Sequence, residues 1–227
     1  MSASRRITVA IDGPAGSGKS TVSKEVARRL GYAYVDTGAM YRAVALLGMR
    51  QGLDPSDREG FVAEAAAARM EFRPSEAGQR FLVNGEDFTD AVRDPDVGAL
   101  SSPVSAIPEV RRHLTAAQRQ MAAGGGVVME GRDIGTVVCP QAEVKVFVTA
   151  TPQERARRRF LELQGKGEEV TEAEVLAEIG ERDRRDSTRD IAPLRKADDA
   201  IELITDGMSI EQVVQRIVGL VREAETR

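Results

Sequence analysis

The sequence is poor in the residues that make covalent cross-links and transition-metal sites. It has one cysteine, Cys139, and one histidine, His113, in 227 residues. A lone cysteine forms no internal disulfide, and the two residues supply no Cys/His ligand set. A disulfide scaffold and a zinc centre are therefore excluded, and a reducing, cytoplasmic setting is expected. Cys139 is expected as a small buried hydrophobe, because neither a base nor a second cysteine adjoins it. Long apolar runs are missing as well. No stretch of about 18 apolar residues occurs, and the start of the chain lacks the apolar core of a secretory leader, so a soluble, unexported chain is expected. Nor is there an excess of positive charge: Lys and Arg total 32 against 36 Asp and Glu, a net of −4. That balance argues against a general electrostatic grip on nucleic acid. A monomer that binds neither nucleic acid nor membrane is expected. No fixed-period repeat is found, and the Ala65 to Ala68 run reads as helix. The length suits one α/β domain with insertions and a sizeable core.

What the sequence does have is a phosphate cradle. Gly13-Pro14-Ala15-Gly16-Ser17-Gly18-Lys19-Ser20 follows the apolar run Ile7-Thr8-Val9-Ala10-Ile11 and fits G-x-x-x-x-G-K-[ST]. Glycines there let the backbone N–H groups wrap a polyphosphate at close range. Lys19 is expected to reach the β- and γ-phosphates and Ser20 to bind Mg²⁺, with the following helix aiming its positive end at the anion. Val22, Val26, Ala27 and Leu30 recur at helical spacing, so Ser20 to Leu30 reads as that helix, with Gly31 at its C-cap.

Residues 5–11, Ala33 to Asp36, Val127 to Glu130, Val144 to Thr149 and Ala200 to Ile204 read as strands of a parallel sheet flanked by helices. Ligands on such sheets sit at the C-terminal strand ends, which directs attention to Asp36-Thr37-Gly38, Gly131-Arg132-Asp133 and Thr151-Pro152. Between Met70 and Thr89 the period changes to two. Phe81-Leu82-Val83 is expected to meet Asp87-Phe88 across Asn84-Gly85, and Ser75 to Gly78 reads as an earlier turn, giving a small inserted antiparallel meander. Val110, Leu114, Ala117 and Met121 mark a helical face after Pro108, with His113 off it and solvated. A helix carrying Arg155, Arg157, Arg158 and Arg159 is expected from Pro152. Thr171 with Glu174, and Ser209 with Gln212, form capping boxes. The second opens an amphipathic helix of Ile210, Val213, Val214, Ile217 and Val221. Arg182, Asp186 and Arg189, spaced by four and three, are expected on one helical side; a solvated charged helix is the alternative.

Bringing two polyanions together for phosphoryl transfer needs several fixed cations besides Mg²⁺. Guanidinium binds phosphate oxygens as a fork and stays charged. If the acceptor is itself a phosphate, its second pKa near 6 leaves a nucleophilic oxygen ionised at neutral pH and no general base is required. Asp36 and Asp133 are the candidate bases; either could instead orient Mg²⁺-bound water or an arginine.

Gly13 to Thr21, Asp36-Thr37-Gly38-Ala39-Met40-Tyr41-Arg42, Glu130-Gly131-Arg132-Asp133-Ile134-Gly135-Thr136 and Arg182-Asp183-Arg184-Arg185-Asp186-Ser187-Thr188-Arg189 together resemble bacterial cytidylate kinases, which are nucleoside monophosphate kinases. The resemblance covers nearly the whole chain. It implies transfer of the γ-phosphoryl group of ATP to CMP or dCMP with Mg²⁺, in a single P-loop kinase domain with its core at about 1–36, 107–162 and 190–227. A monophosphate-binding region at about 37–106, with the insert at 70–89, and a helical lid at about 163–185 would complete it. Gly13, Pro14, Ala15, Gly16, Ser17, Gly18, Lys19, Ser20 and Thr21 would hold the donor, with Ser20 on Mg²⁺ and Arg158 (or Arg159) from the lid side. Thr37, Tyr41, Arg42, Ser102, Arg111, Arg132, Asp133, Arg182, Asp186 and Arg189 would hold CMP, with Ser101 a close rival to Ser102. Lys19, Arg132, Arg182 and Arg189 would be catalytic. Cys139 departs from the family, which often carries an aromatic residue there.

Two other functions are weighed against this one. A kinase acting on a hydroxyl would need a base and fewer acceptor-side arginines. A nucleotide-driven switch of GTPase type is disfavoured by the absence of N-K-x-D.

Overall fold

The computed structural model describes residues 6–75 and 78–226. The chain divides into two compact units, Met1–Tyr34 with Ala122–Arg227, and Val35–Met121.

The first unit is built around a parallel sheet. Strand β1 (Thr8–Asp12) runs into the glycine loop and then helix α1 (Lys19–Leu30). Gly31, at φ 64°, ends α1 as a left-handed C-cap whose N–H bonds back to the carbonyls of Ala27 and Arg28. Strand β2 (Ala33–Asp36) follows. Later in the chain come β6 (Val127–Gly131), β7 (Val144–Thr149) and β8 (Ile201–Ile204), giving the sheet order β2-β6-β1-β7-β8. β1 lies at the centre, with Val9 opposite both Val128 and Val144. A central parallel strand covered by helices is buried on both faces, and Val9 and Ile11 on one face and Ala10 on the other are buried.

Val22, Val26 and Ala27 of α1 pack into the same core as Val213, Val214, Ile217, Val218 and Val221 of the last helix, α8 (Ile210–Glu225). Ser209 and Gln212 open α8 with the expected capping box. Helices α6 (Pro152–Gly165) and α7 (Glu172–Thr188) form a hairpin with its own small core of Ala156, Leu163, Val175 and Ile179. Thr171 and Glu174 cap α7 reciprocally, as the sequence suggests. One expectation fails here. α7 stops at Thr188, and Arg189 is its extended C-cap (φ −65°, ψ 141°), so Arg189 does not share a helical side with Arg182 and Asp186. Its Nε instead donates to Ala192 O in the following turn.

The second unit contains α2 (Thr37–Arg50), α3 (Arg58–Ala67), α4 (Pro95–Val104) and α5 (Pro108–Ala122, whose last residue crosses into the first unit). Its buried side chains include Met40, Phe61, Phe88 and Val97. The expected meander is present as β3 (Met70–Ser75), β4 (Gly78–Val83) and β5 (Glu86–Asp87). Val83 faces Glu86 across Asn84 and Gly85, both at positive φ, the geometry an Asn-Gly hairpin turn requires. Ser75 pairs with Gly78; Glu76 and Ala77 of that expected turn lie outside the described residues, as do residues 1–5. His113 is exposed, as its place off the apolar stripe implies.

Candidate functional site

The glycine loop packs so closely at Gly13 that a side chain is excluded there. A Cβ on Gly13, at φ 156°, would lie 2.0 Å from Val148 O, inside any van der Waals contact. Gly18, left-handed at φ 80°, precedes α1 with no side-chain cap. The first turn of α1 thus presents N–H groups with no capping side chain beside them, which suits an anion. Lys19 is buried and its Nζ donates to Pro14 O at 3.0 Å, folding the side chain back over the loop. The Ser20 side chain lies on an exposed residue of the same turn.

Beside the loop, Arg158 of α6 donates to Glu154, to Thr205 Oγ1 at 2.9 Å and to Thr205 O at 2.7 Å, and its Nη1 would lie 3.9 Å from a Cβ on Gly18. Arg159 makes a surface pair with Glu162. Of the two arginines, Arg158 is the one placed against the loop.

After β6 the chain enters a π-helical turn, Ile134–Val138, led by Asp133. Such turns recur at functional sites because they re-aim side chains within a packed element. The turn is held by a residue that the sequence pattern did not single out. Asp12, at the end of β1 and buried, accepts from Ile134 N and Gly135 N, both at 2.8 Å. Burial pushes the Asp12 carboxyl up to about 6, against the two N–H donors and Arg132, with Asp133 adding to the rise. Its position directly before Gly13, at a strand's C-terminal end, was the available signal.

Arg132, Asp133, Arg182, Asp186 and Arg189 all belong to this unit. Arg132 Nε donates to Asp186 Oδ2 at 2.8 Å, and Arg189 Nη2 lies 3.8 Å from Asp133 Oδ1. Burial opposes ionisation of Asp186, but Arg132, Arg182 and Arg189 outweigh it and hold the carboxyl below its ordinary value. The structure thus brings three arginines to bear on one carboxylate, a cluster that a phosphate or a pair of sugar hydroxyls can enter by exchanging hydrogen bonds. Asp133 thus faces an arginine through Oδ1.

In the second unit Asp36 caps α2, with Oδ1 accepting from Ala39 N and Oδ2 from Arg42 Nη2 at 3.0 Å. Both oxygens are taken, so of the roles open to Asp36 the structure favours orienting an arginine. Thr37 and Tyr41 are buried on α2, and the Arg111 guanidinium, itself buried, sits 5.3 Å over the Tyr41 ring. Ser101 is buried and its hydroxyl donates to Gly98 O within α4, whereas Ser102 is half-buried. The Ser101 hydroxyl thus bonds within its own helix. Cys139 is half-buried, more open than a core residue. Pro140 beside it is exposed.

Among the described residues no group of three or more His, Cys, Asp and Glu could hold a metal ion, and no helix is long and apolar enough to cross a membrane.

Comparison with known proteins bears on the chain as a whole. Residues 9–223 match the family model described as cytidylate kinase. The chain is 49% identical over 221 residues to the cytidylate kinase of Geobacter sulfurreducens, covering 97% of this chain and 95% of that one. It is 55% identical over 216 residues to the bifunctional pantoate ligase/cytidylate kinase of Synechococcus sp. (strain CC9311), of which it spans only 44%. Among solved structures, a gluconokinase from Sinorhizobium meliloti 1021 shares the fold, with a TM-score of 0.50 at 14% identity over 99% of this chain and 97% of that one.

Proposed function

Because the chain belongs to the cytidylate kinase family, a family of phosphotransferases, we propose that it transfers the γ-phosphoryl group of ATP to CMP or dCMP, giving ADP and CDP or dCDP. The observation that carries this reading is the near full-length relation to a stand-alone cytidylate kinase. The physical support comes from the first unit, where a phosphate loop and a cluster of arginines around Asp186 are built on one sheet.

Gly13 to Thr21 hold the donor phosphates through backbone N–H groups, and Lys19 swings from Pro14 O to the β- and γ-phosphate oxygens. Arg158 steadies the donor from α6. Thr37, Tyr41, Arg42, Ser102, Arg111, Arg132, Asp133, Arg182, Asp186 and Arg189 bind the acceptor nucleotide. Polar groups matched to cytosine's amino donor and ring acceptors exclude uracil, because a mismatched base leaves them buried and unpaired. Arg132, Arg182 and Arg189 offset the charge of two approaching polyanions. The acceptor phosphate is largely a dianion at neutral pH, so its oxygen attacks without a base, in keeping with an Asp36 whose oxygens are both engaged.

Mg²⁺ fits this site. In phosphate-loop enzymes the loop Ser or Thr and the substrate phosphates help to hold it, and Ser20 lies exposed on the first turn of α1. Bound there with ATP, it supplies positive charge to the transferring phosphoryl group.

The test is ADP formation from ATP and Mg²⁺ with a panel of CMP, dCMP, UMP, AMP and a polyol such as gluconate. CMP and dCMP are expected to stimulate turnover most. Stimulation by the polyol with every nucleotide inert would overturn the reading.

A further inference from the structure

The buried guanidinium of Arg155 ties the phosphate loop to α7. Arg155 is 5% exposed. Its Nε donates to Ala150 O at 3.1 Å, and its Nη1 donates both to Ala15 O at 3.0 Å and to Asp183 Oδ2 at 2.5 Å. These acceptors lie just after β7, in the phosphate loop and on α7. A loop that turns its N–H groups inward around an anion turns carbonyls outward, and Arg155 satisfies one of them with a charge-assisted bond.

The fit around that bond is tight. A Cβ on Gly16, at φ 72°, would lie 3.1 Å from Arg155 O, 3.2 Å from Arg155 Cβ and 3.3 Å from Ile179 Cδ1. The loop is therefore in contact with α6 and α7 at the same point. On α7, Asp183 follows Arg182 directly and precedes Asp186 by three residues, so a helix moving as a unit carries all of them together. Asp186 in turn holds Arg132. Asp183 Oδ1 is buried with no hydrogen-bond partner among the described residues.

We infer that Arg155 and Asp183 are positioning residues that couple donor binding in the phosphate loop to acceptor binding at Arg182 and Asp186. The inference rests on the kinase reading and deepens it. Donor phosphates fix the loop, the loop fixes Arg155 through Ala15 O, and Arg155 fixes Asp183 and with it the acceptor side of α7. Such coupling is reciprocal, so each ligand tightens the other by the same factor. Arg155→Lys keeps the charge but replaces a planar fork by a compact ammonium that cannot serve three elements together. Asp183→Asn keeps the shape and removes the charge.

Calorimetric titration of CMP into the wild type and both variants, with and without a non-hydrolysable ATP analogue and Mg²⁺, tests this. In the wild type the analogue is expected to lower the Kd for CMP by about fivefold or more. In both variants that ratio is expected to fall toward one, while circular dichroism and a cooperative melt report a folded chain. A merely structural role would weaken both ligands and leave the ratio unchanged. A wild-type ratio of one, or the full ratio retained in a folded Asp183→Asn protein, overturns the inference. Failure of the wild type to bind either ligand would instead overturn the kinase reading beneath it.

Discussion

Arg132 Nε lies 2.8 Å from Asp186 Oδ2, with the two side chains only 18% and 13% exposed. One residue follows β6 and the other sits near the end of α7, 54 positions later in the chain. Charged groups this far from water must be paired, so either side chain left alone becomes a liability. Asp186→Ala takes away the carboxylate to which Arg132 Nε donates and the negative charge that Arg182 and Arg189 also face. The expected result is a rise of about tenfold or more in KM for both CMP and dCMP, with the KM for ATP changed far less. Steady-state kinetics with each substrate varied in turn checks it, and an unchanged acceptor KM would contradict the assignment.

Lys19→Ala removes the ammonium folded over the phosphate loop. Its charge is needed most when charge develops on the transferring group, so kcat should fall by roughly 10²–10³-fold. The melting temperature should move little, because the side chain's hydrogen bond to Pro14 O is local. A wild-type rate in the variant would refute the role.

Gly13→Ala forces a Cβ to within 2.0 Å of the Val148 carbonyl oxygen at a φ that L-residues rarely adopt. Backbone on β7 cannot yield cheaply, so a loss of stability of about 2 kcal/mol or more is expected, together with loss of ATP binding. Denaturant unfolding and nucleotide titration measure the two effects separately.

Asp12 sets a pH dependence. Its carboxyl titrates at about 6 in the folded protein, above its ordinary 3.8, because it is buried. Between those two values the folded chain holds a proton that the unfolded chain has released. The contribution of Asp12 to stability is therefore fully present below about 4 and is lost as the pH rises through 6. The ionised form, however, is the one that accepts best from both Ile134 N and Gly135 N. Protonation should loosen the turn that carries Arg132 and Asp133, raising KM for CMP below about pH 6. Asp12→Asn should make that limb of the profile of kcat/KM shallower, leaving only the part set by the acceptor phosphate's own second ionisation at about 6, and a limb unchanged in the variant would remove Asp12 from it.

Much of the scaffold is local in origin and could be read from the chain. The phosphate loop, the capping boxes at Thr171 and Ser209, the Gly31 cap and the Asn84-Gly85 turn each depend on the conformations that a few adjacent residues prefer. Helix α4 is hard to read from the chain because Pro95, Pro103 and two serines blur its apolar pattern; in the structure Pro95 occupies the first turn, where proline is tolerated, while Pro103 lies inside the helix one residue before its end, where no N–H is available for a bond to the preceding turn. Arg189 was misjudged for the opposite reason. Its spacing continues that of Arg182 and Asp186, but the chain turns at Ala192, at φ 50° before Pro193, and Arg189 bonds to that turn instead of to a helix.

By itself, then, the sequence determined that a phosphate loop stands at the end of a parallel strand and that many arginines are available to meet it. Tertiary structure decided which arginines do so. Arg158 rather than Arg159 lies against Gly18, Ser101 is taken up by its own helix, Asp12 holds a turn 122 residues away, and Arg155 reaches a loop carbonyl 140 residues away. Spacing within a helix or turn is a property of neighbouring residues, whereas these contacts exist only once the order of strands in the sheet has brought distant segments together.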